Sequence, residues 1–298
     1  MLPILLQRSA SDRIMRTFKI IIFLLLPILL GAEDIFLLCG SPEQGGLMLG
    51  KVSNDVENVF FDYKPIQISD NQFFIGFDRD EKLNHIITFV LKNGEMISQK
   101  FAIKAQKYDI QEITLPKSKK QYYEKPDLEL TARINSEARI LRKTRDKIVS
   151  NERINICDKF SRAVIGGHIS SVFGSQRIIN KVPKRPHNGI DIVKPIGTPV
   201  MAMNAGIVAL SGHYFYNGKF VLIDHGYGLS SIYIHLSENL VELGDSVQTG
   251  DIIGKLGDTG RSTGPHLHWG IDFNGKRLDP QLLDNMDEVF IRIRKDNE

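Results

Sequence analysis

The chain contains few of the residues that crosslink small proteins, and no long apolar run. Among 298 residues it has two cysteines, Cys39 and Cys157, and one tryptophan, Trp269. Two cysteines cannot make a zinc-finger site, so a metal ion here would need histidine and carboxylate ligands. Whether the two cysteines form a disulfide stays open, because the sequence gives no distance between their Cα atoms. Contents of 42% hydrophobic and 24% charged residues exclude disordered, collagen-like and coiled-coil chains.

The most apolar segment, Ile20–Leu30, is shorter than the roughly 20 residues that a membrane-spanning helix needs. It follows several basic residues and is followed by Gly31-Ala32, a pattern typical of a secretory signal. We therefore predict a signal peptide over residues 1–32 and an exported protein, located in the periplasm or cell envelope. A retained N-terminal segment that anchors the protein to the membrane is the alternative, and Met15 is a second candidate start.

Positive charge is not in excess once this segment is set aside. The formal net charge is +3, from 38 Lys and Arg against 35 Asp and Glu. Residues 1–32 hold four basic side chains and one acidic side chain, so the remainder is neutral. Residues 116–153 have 11 basic and 6 acidic side chains, but the two signs alternate, which favours a solvated helix over a polyanion site. No nucleic-acid partner is predicted.

The pattern of apolar and turn-forming residues changes along the chain, and most of it is typical of β-strands. We therefore predict a mainly β protein. Short runs of β-forming residues separated by turn residues indicate a small β-sandwich-like domain at the N-terminus. Pro126-Asp127 opens a stretch with apolar residues near helical spacing, which predicts a helical connector. Glycine-punctuated strands then indicate an antiparallel β domain. The predicted boundaries are 33–115 for the first domain, 116–159 for the connector, 160–285 for the second domain and 286–298 for a C-terminal tail.

Histidines are concentrated in the second β domain, where six of the eight lie between His187 and His268. In a strand, side chains at i and i+2 leave the same face, so His266 and His268 are expected to point into one space roughly 7 Å apart. His187 and Asp191 with one of this pair would make a His₂Asp metal set that leaves a position open for water. Residue spacing alone leaves open which of the pair binds the metal. His235 and the other member of the pair are available for acid–base chemistry.

Five motifs in this region resemble one known family. H-N-G-I-D, I-D-H-G-Y-G, Y-I-H-L-S, G-D-x-V-x-T-G and G-x-T-G-R-S-T-G-P-H-L-H-W are similar to the motifs of lysostaphin-like (LytM-type) zinc metallopeptidases. The resemblance runs from about Phe160 to Leu283. The N-terminal segment is similar, more loosely, to the β domain that precedes the peptidase in one branch of that family, whose members cut peptidoglycan peptides.

The resemblance implies one Zn²⁺ per chain held by His187, Asp191 and His268, and a catalytic role for His235 and His266. It implies a zinc-dependent endopeptidase, by its branch a D,D-endopeptidase, that uses a metal-activated water on the peptide stems and cross-links of peptidoglycan. The alternative is a catalytically inactive LytM-type module that binds and activates a cell-wall amidase. A further hypothesis, motivated by domain order, is that the N-terminal domain or the connector covers the cleft. The sequence does not specify the bond cut or the oligomeric state.

Overall fold

The computed structural model describes residues 34–113, 126–148, 160–179, 182–285 and 289–294. The predicted signal peptide and Cys157 lie outside these ranges. No helix within them has the length and apolarity needed to cross a membrane. Apart from one α-helix and one 3₁₀ turn, the secondary structure in the described ranges consists of β-strands, which confirms the predicted mainly β fold.

The N-terminal region is built from two antiparallel four-stranded sheets that enclose a shared apolar core. One sheet has the order β21-β1-β2-β5 and the other β4-β3-β6-β7. Inward side chains alternate along β6, where His85, Ile87, Phe89 and Leu91 are buried. The rings of Phe36 and Phe89 stack across the sandwich with centroids 3.7 Å apart. The eight strands of these sheets are β1 Asp34–Gly40, β2 Leu47–Val52, β3 Val56–Phe61, β4 Lys64–Ile66, β5 Gln72–Gly76, β6 Asn84–Leu91, β7 Met96–Ala102 and, from the C-terminal part of the chain, β21 Val289–Arg294. Strand β8 Ile110–Ile113 belongs to neither sheet.

The predicted helix is present as α1, Leu128–Lys147. Its N-cap is Asp127, whose carboxylate accepts a 2.8 Å hydrogen bond from the backbone N–H of Leu130 and so satisfies one of the free N–H groups of the first turn. The helix ends at Ile148, which is buried. Leu141 and Ile148 form the apolar contact between this helix region and the large sheet described next.

The C-terminal region is a ten-stranded antiparallel sheet with two sharply different faces. Its main order is β17-β14-β15-β16-β19-β12-β9, with β13, β18 and β20 joined at the side. Tyr233, Trp269 and Ile271 face the main apolar core. The opposite face carries α1. The ten strands of this sheet are β9 His168–Ser171, β12 Ile190–Val193, β13 Pro199–Met201, β14 Gly206–Tyr214, β15 Gly218–Gly226, β16 Leu229–Asn239, β17 Ser246–Val247, β18 Ile252–Leu256, β19 Leu267–Phe273 and β20 Lys276–Leu278. Strands β10 Gln176–Ile179 and β11 Val182–Pro183 form a separate three-stranded sheet with β8, and a 3₁₀ turn follows β20 at Pro280–Asn285.

Strands and side chains from the two β regions pair and pack with each other. β21, which falls within the segment predicted as a tail, pairs with β1 in an antiparallel register. β8 pairs with β10 in a parallel register. Leu47, Leu49 and Phe74 join the apolar cluster of the large sheet rather than the sandwich core. Contacts of these kinds place residues 33–295 in one compact unit. The domain boundaries drawn from the sequence therefore stay a prediction.

Candidate metal centre

Three predicted ligands meet where β12 and β19 lie side by side. The sheet register places Asp191 opposite His268, and opposite residues on neighbouring strands have Cβ atoms about 4.5–5.5 Å apart. His187 approaches from the loop before β12, and its Nε2 lies 3.0 Å from Oδ1 of Asp191. Nδ1 of His268 lies 2.8 Å from the same oxygen. Gly189 makes this approach possible, because a Cβ there would lie 2.3 Å from the carbonyl oxygen of Trp269.

The donor set of this cluster fits a zinc ion. One ligand atom from each of His187, Asp191 and His268 lies within 4.8 Å of the other two. Two imidazole nitrogens and one carboxylate oxygen are the kind of three-ligand set that leaves a fourth position open in catalytic zinc sites. Nδ1 of His187 lies 3.0 Å from the carbonyl oxygen of Val172, which can only accept, so this nitrogen carries the proton and Nε2 keeps its lone pair.

His235 reaches the cluster because β16 is irregular at this point. Ile234 lies opposite His268, so in a regular strand the next side chain would face the core. The pairing of β15 with β16 instead shifts register between Lys219 and Phe220. His235 has φ of 67°, in the left-handed region that non-glycine residues rarely adopt. Its ring lies beside that of His266, with centroids 4.8 Å apart.

The loop over residues 257–264 fixes the orientation of these two rings. The carbonyl oxygen of Thr259 accepts from Nδ1 of His235 at 2.8 Å. The carbonyl oxygen of Gly264 accepts from Nδ1 of His266, also at 2.8 Å. Each ring therefore carries its proton on Nδ1 and has Nε2 as the acceptor. Nε2 of His266 lies 3.8 Å from Oδ1 of Asp191, so it faces the three ligands.

Burial determines the charge of these groups. It lowers the pKa of His187, lowers that of His268 to about 4, and lowers that of His235 well below its usual value, with the neighbouring ring of His266 adding to the last effect. Burial alone would raise the pKa of Asp191, but the close side chains of His187 and His268 outweigh it and hold that pKa well below its usual range. At neutral pH the site is thus three neutral imidazoles around one carboxylate.

Three supporting residues were not singled out by the sequence reasoning. Nη2 of Arg177 donates to Oδ2 of Asp191 and to Oγ of Ser171, the latter at 3.0 Å. The hydroxyl of Ser171 lies 2.8 Å from Nδ1 of His187 and donates to Oε1 of Gln111 at 2.7 Å. Gln111 belongs to β8, so a strand from before the helix contributes to the support of a predicted ligand. No spacing rule links these positions, which are brought together by the pairing of β8 with β10.

The remaining buried histidine of this region lies outside the cluster. His225 donates from Nδ1 to the carbonyl oxygen of Ala205 at 2.8 Å and accepts at Nε2 from Ser231 at 2.7 Å. Burial lowers its pKa to about 4. The hydroxyl of Tyr233 continues this chain of hydrogen bonds to the backbone N–H of Met203. Both ring nitrogens of His225 are therefore used inside the fold, which gives this histidine a structural role.

Comparisons with known proteins identify the domain. The model of peptidase family M23 matches residues 185–280. The peptidoglycan DD-endopeptidase ShyA of Vibrio cholerae is 44% identical over 110 residues, which are 36% of this chain and 25% of that protein. The DD-carboxypeptidase/endopeptidase Mpg of Neisseria gonorrhoeae is 41% identical over 112 residues, 38% of this chain and 26% of that protein. This part of the chain is an M23 peptidase domain of the LytM type, and the resemblance drawn from its motifs is confirmed.

The likeness to one solved structure extends beyond this domain. A Pseudomonas aeruginosa protein assigned to peptidase M23 has 27% sequence identity and a TM-score of 0.61, over 83% of this chain and 97% of that chain. The alignment thus also includes residues outside 185–280. In contrast, the matches to ShyA and Mpg cover only about a quarter of the length of those curated relatives.

Proposed function

We propose that this protein is an exported, zinc-dependent endopeptidase that hydrolyses peptide cross-links of peptidoglycan, and specifically a D,D-endopeptidase. The observation that carries the proposal is the convergence of His187, Asp191 and His268 on one point, with His235 and His266 beside it. The M23 family of the domain and the printed activities of ShyA and Mpg support it. An export signal over residues 1–32 would place the enzyme where its substrate is.

Each of the three predicted ligands would bind the metal through one atom. His187 would bind through Nε2, His268 through Nδ1 and Asp191 through Oδ1, the atoms that face one another. The carboxylate compensates part of the charge of a dication, and two neutral imidazoles complete the set. When bound here, zinc would supply Lewis-acid activation of water and of the scissile carbonyl.

The two remaining histidines would handle protons and charge. Nε2 of His235 is a lone-pair acceptor on a ring held by Thr259, so it is positioned to take a proton from the attacking water. His266, held by Gly264, is oriented toward the same space and can share that role or stabilise the oxyanion that forms on the substrate. Burial keeps the ring of His235 neutral at pH 7 and therefore competent as a base.

The proposal is tested with purified protein and isolated sacculi. We expect one zinc per chain and release of muropeptides, whose masses identify the bond that is cut. The alternative, an inactive module that activates an amidase, predicts no release by the protein alone and faster release by an added amidase. The chain has a histidine or aspartate at all five positions that the resemblance assigns to an active site, which supports the enzyme over the inactive module.

A further inference from the structure

A cavity rich in arginine lies on the same face of the large sheet as the predicted catalytic histidines. It has a volume of about 530 Å³ and opens between the C-terminal half of α1 and the β19–β20 hairpin. Its charged lining comes from two parts of the fold. These residues are Arg142, Arg145 and Asp146 from α1 and Arg185, Asp272 and Arg277 from the large sheet and the loop before β12.

The positive charge of this cavity exceeds its negative charge, since four arginines face two aspartates. Arg277 pairs with Asp272 at 2.8 Å, whereas no other arginine of the cavity has an ion pair within the described part of the chain. Nε of Arg145 is buried and has no hydrogen-bond partner among the residues that the structure describes. Burial, with the nearby charge of Arg277, lowers the pKa of Arg145 to about 10. A buried guanidinium in this state is stabilised by an anion that supplies the missing acceptors.

The cavity is within reach of a peptide bound at the metal centre. Along β19, His268, Gly270 and Asp272 share one face because side chains alternate. Asp272 is four positions from His268, roughly 13 Å at the rise of a β-strand. Arg185 is two residues before His187 in the chain. An extended peptide of about four residues covers such a distance.

We propose that this arginine cavity binds a free carboxylate of a peptidoglycan stem peptide whose cross-link lies at the metal centre. The inference rests on the proposed function and assigns it a specificity site. Stem peptides contain acidic and diamino-acid residues whose carboxylates do not take part in the cross-link. The planar guanidinium group matches a carboxylate with two parallel hydrogen bonds. A phosphate group would satisfy the same donors, and the experiment separates the two.

The test compares two muropeptide dimers, one with free stem carboxylates and one with those groups converted to carboxamides. For Arg145→Gln on the free-carboxylate dimer, we expect KM and the Kd from calorimetry to rise about tenfold to a hundredfold. We expect kcat and zinc content to stay at wild-type values. Wild-type protein should already show the higher KM and Kd on the amidated dimer. On that dimer, Arg145→Gln should not raise either constant further. Arg185→Gln, at an exposed position, should show the same pattern if Arg145→Gln does not fold.

Arg139→Gln is the matched control, because Arg139 is exposed on the same helix and does not line the cavity. It should leave every constant unchanged. Equal Kd and KM of wild type for the two dimers would overturn the inference. A second result would also overturn it: inorganic phosphate raises the melting temperature of wild type but not of Arg145→Gln, while amidation of the stem carboxylates changes neither Kd nor KM. Failure of wild type to cleave either dimer would instead overturn the proposed function, while calorimetry would still decide whether the cavity binds carboxylates.

Discussion

Arg177 donates through Nη2 to the one oxygen of Asp191 that does not face the predicted histidine ligands. Oδ1 of Asp191 lies near Nε2 of His187 and Nδ1 of His268, whereas Oδ2 accepts from the guanidinium. The two oxygens of the carboxylate are thus divided between the metal position and a fixed donor. Outer partners of this kind orient a ligand and reduce its freedom before metal binds.

Replacing Arg177 by Gln should weaken zinc binding by about tenfold to a hundredfold while leaving the fold intact. The reason is that Asp191 would lose its orienting donor, and Ser171 would lose a contact as well. Competition with a chelator of known affinity measures the change. Arg177→Lys keeps the charge but lacks the planar guanidinium group, so its zinc affinity should lie between those of wild type and Arg177→Gln. An unchanged affinity in Arg177→Gln would contradict the role given to this contact.

Substituting His187 or Asp191 by Ala should abolish zinc binding and hydrolysis together, because only two protein ligands would remain. Zinc content by mass spectrometry and muropeptide release from sacculi are measured on the same preparation. His225→Ala is unsuitable as a control because that ring is bonded inside the core, so exposed His213→Ala serves instead. Retention of stoichiometric zinc by Asp191→Ala would remove Asp191 from the ligand set.

His235→Ala should keep its zinc and lose turnover by about 10²-fold or more, the contribution expected of a general base. The structure gives the reason, since the ring is oriented by Thr259 and lies beside His266 rather than between the three ligands. Metal analysis with steady-state kinetics on a defined cross-linked dimer provides the measurement. Loss of the metal in this variant would mean that His235 is a ligand.

The second β region expressed alone, as residues 160–298, should be less stable than the longer chain. It would lack Leu47, Leu49 and Phe74, which pack into its own apolar cluster, and β8, the partner of β10. The ring of Phe74 packs against that of Phe273, with centroids 5.9 Å apart. Replacement of a buried Phe by Ala lowers the free energy of unfolding by about 3–5 kcal/mol, so the loss of Phe74 is already a large effect. Thermal unfolding of the two proteins gives the comparison, and equal melting temperatures would contradict the prediction. Activity of a folded fragment would also test whether the preceding residues cover the cleft.

Asp279 should make the protein less stable as the pH rises from about 4 to 6. Burial raises the pKa of its carboxyl to about 6, above the ordinary value of 3.8. In that interval the folded form retains a proton that the unfolded form has lost, so stability is highest below the interval and falls through it. Asp279→Asn should remove this slope while the hydrogen bond from the N–H of Gln281 is kept. Melting temperatures of both proteins across this pH range provide the measurement, and an equal slope in wild type and Asp279→Asn would contradict the prediction.

Much of the fold followed from the sequence for reasons that are local, whereas the roles of the five predicted site residues stay a prediction that rests on the family resemblance. The alternation of apolar residues in β6, the N-cap Asp127 and the i, i+2 spacing of His266 and His268 are short-range patterns. His235 is different, because regular alternation predicts that it faces the core. Its placement depends on a register shift and a left-handed backbone, neither of which has a signature in the residue types.

Contacts between distant segments could not be predicted in this way. Gln111, Ser171 and Arg177 come together because β8 pairs in parallel with β10, and the chain gives no spacing rule for that pairing. The segment predicted as a tail contains β21, whose partner β1 lies at the opposite end of the described chain. Local propensity can indicate that such segments are strands, but their partners are chosen by packing across the whole molecule.

The pairing of β21 with β1 determines the order in which the protein can fold. The first sheet needs Val289–Arg294 beside Asp34–Gly40, so it cannot be completed until residues 289–294 have emerged from the ribosome. Such distant partners make folding slow, since a large loop must close first. The loop that must close here contains the whole second β region, so the sandwich is completed only after that region has been synthesised.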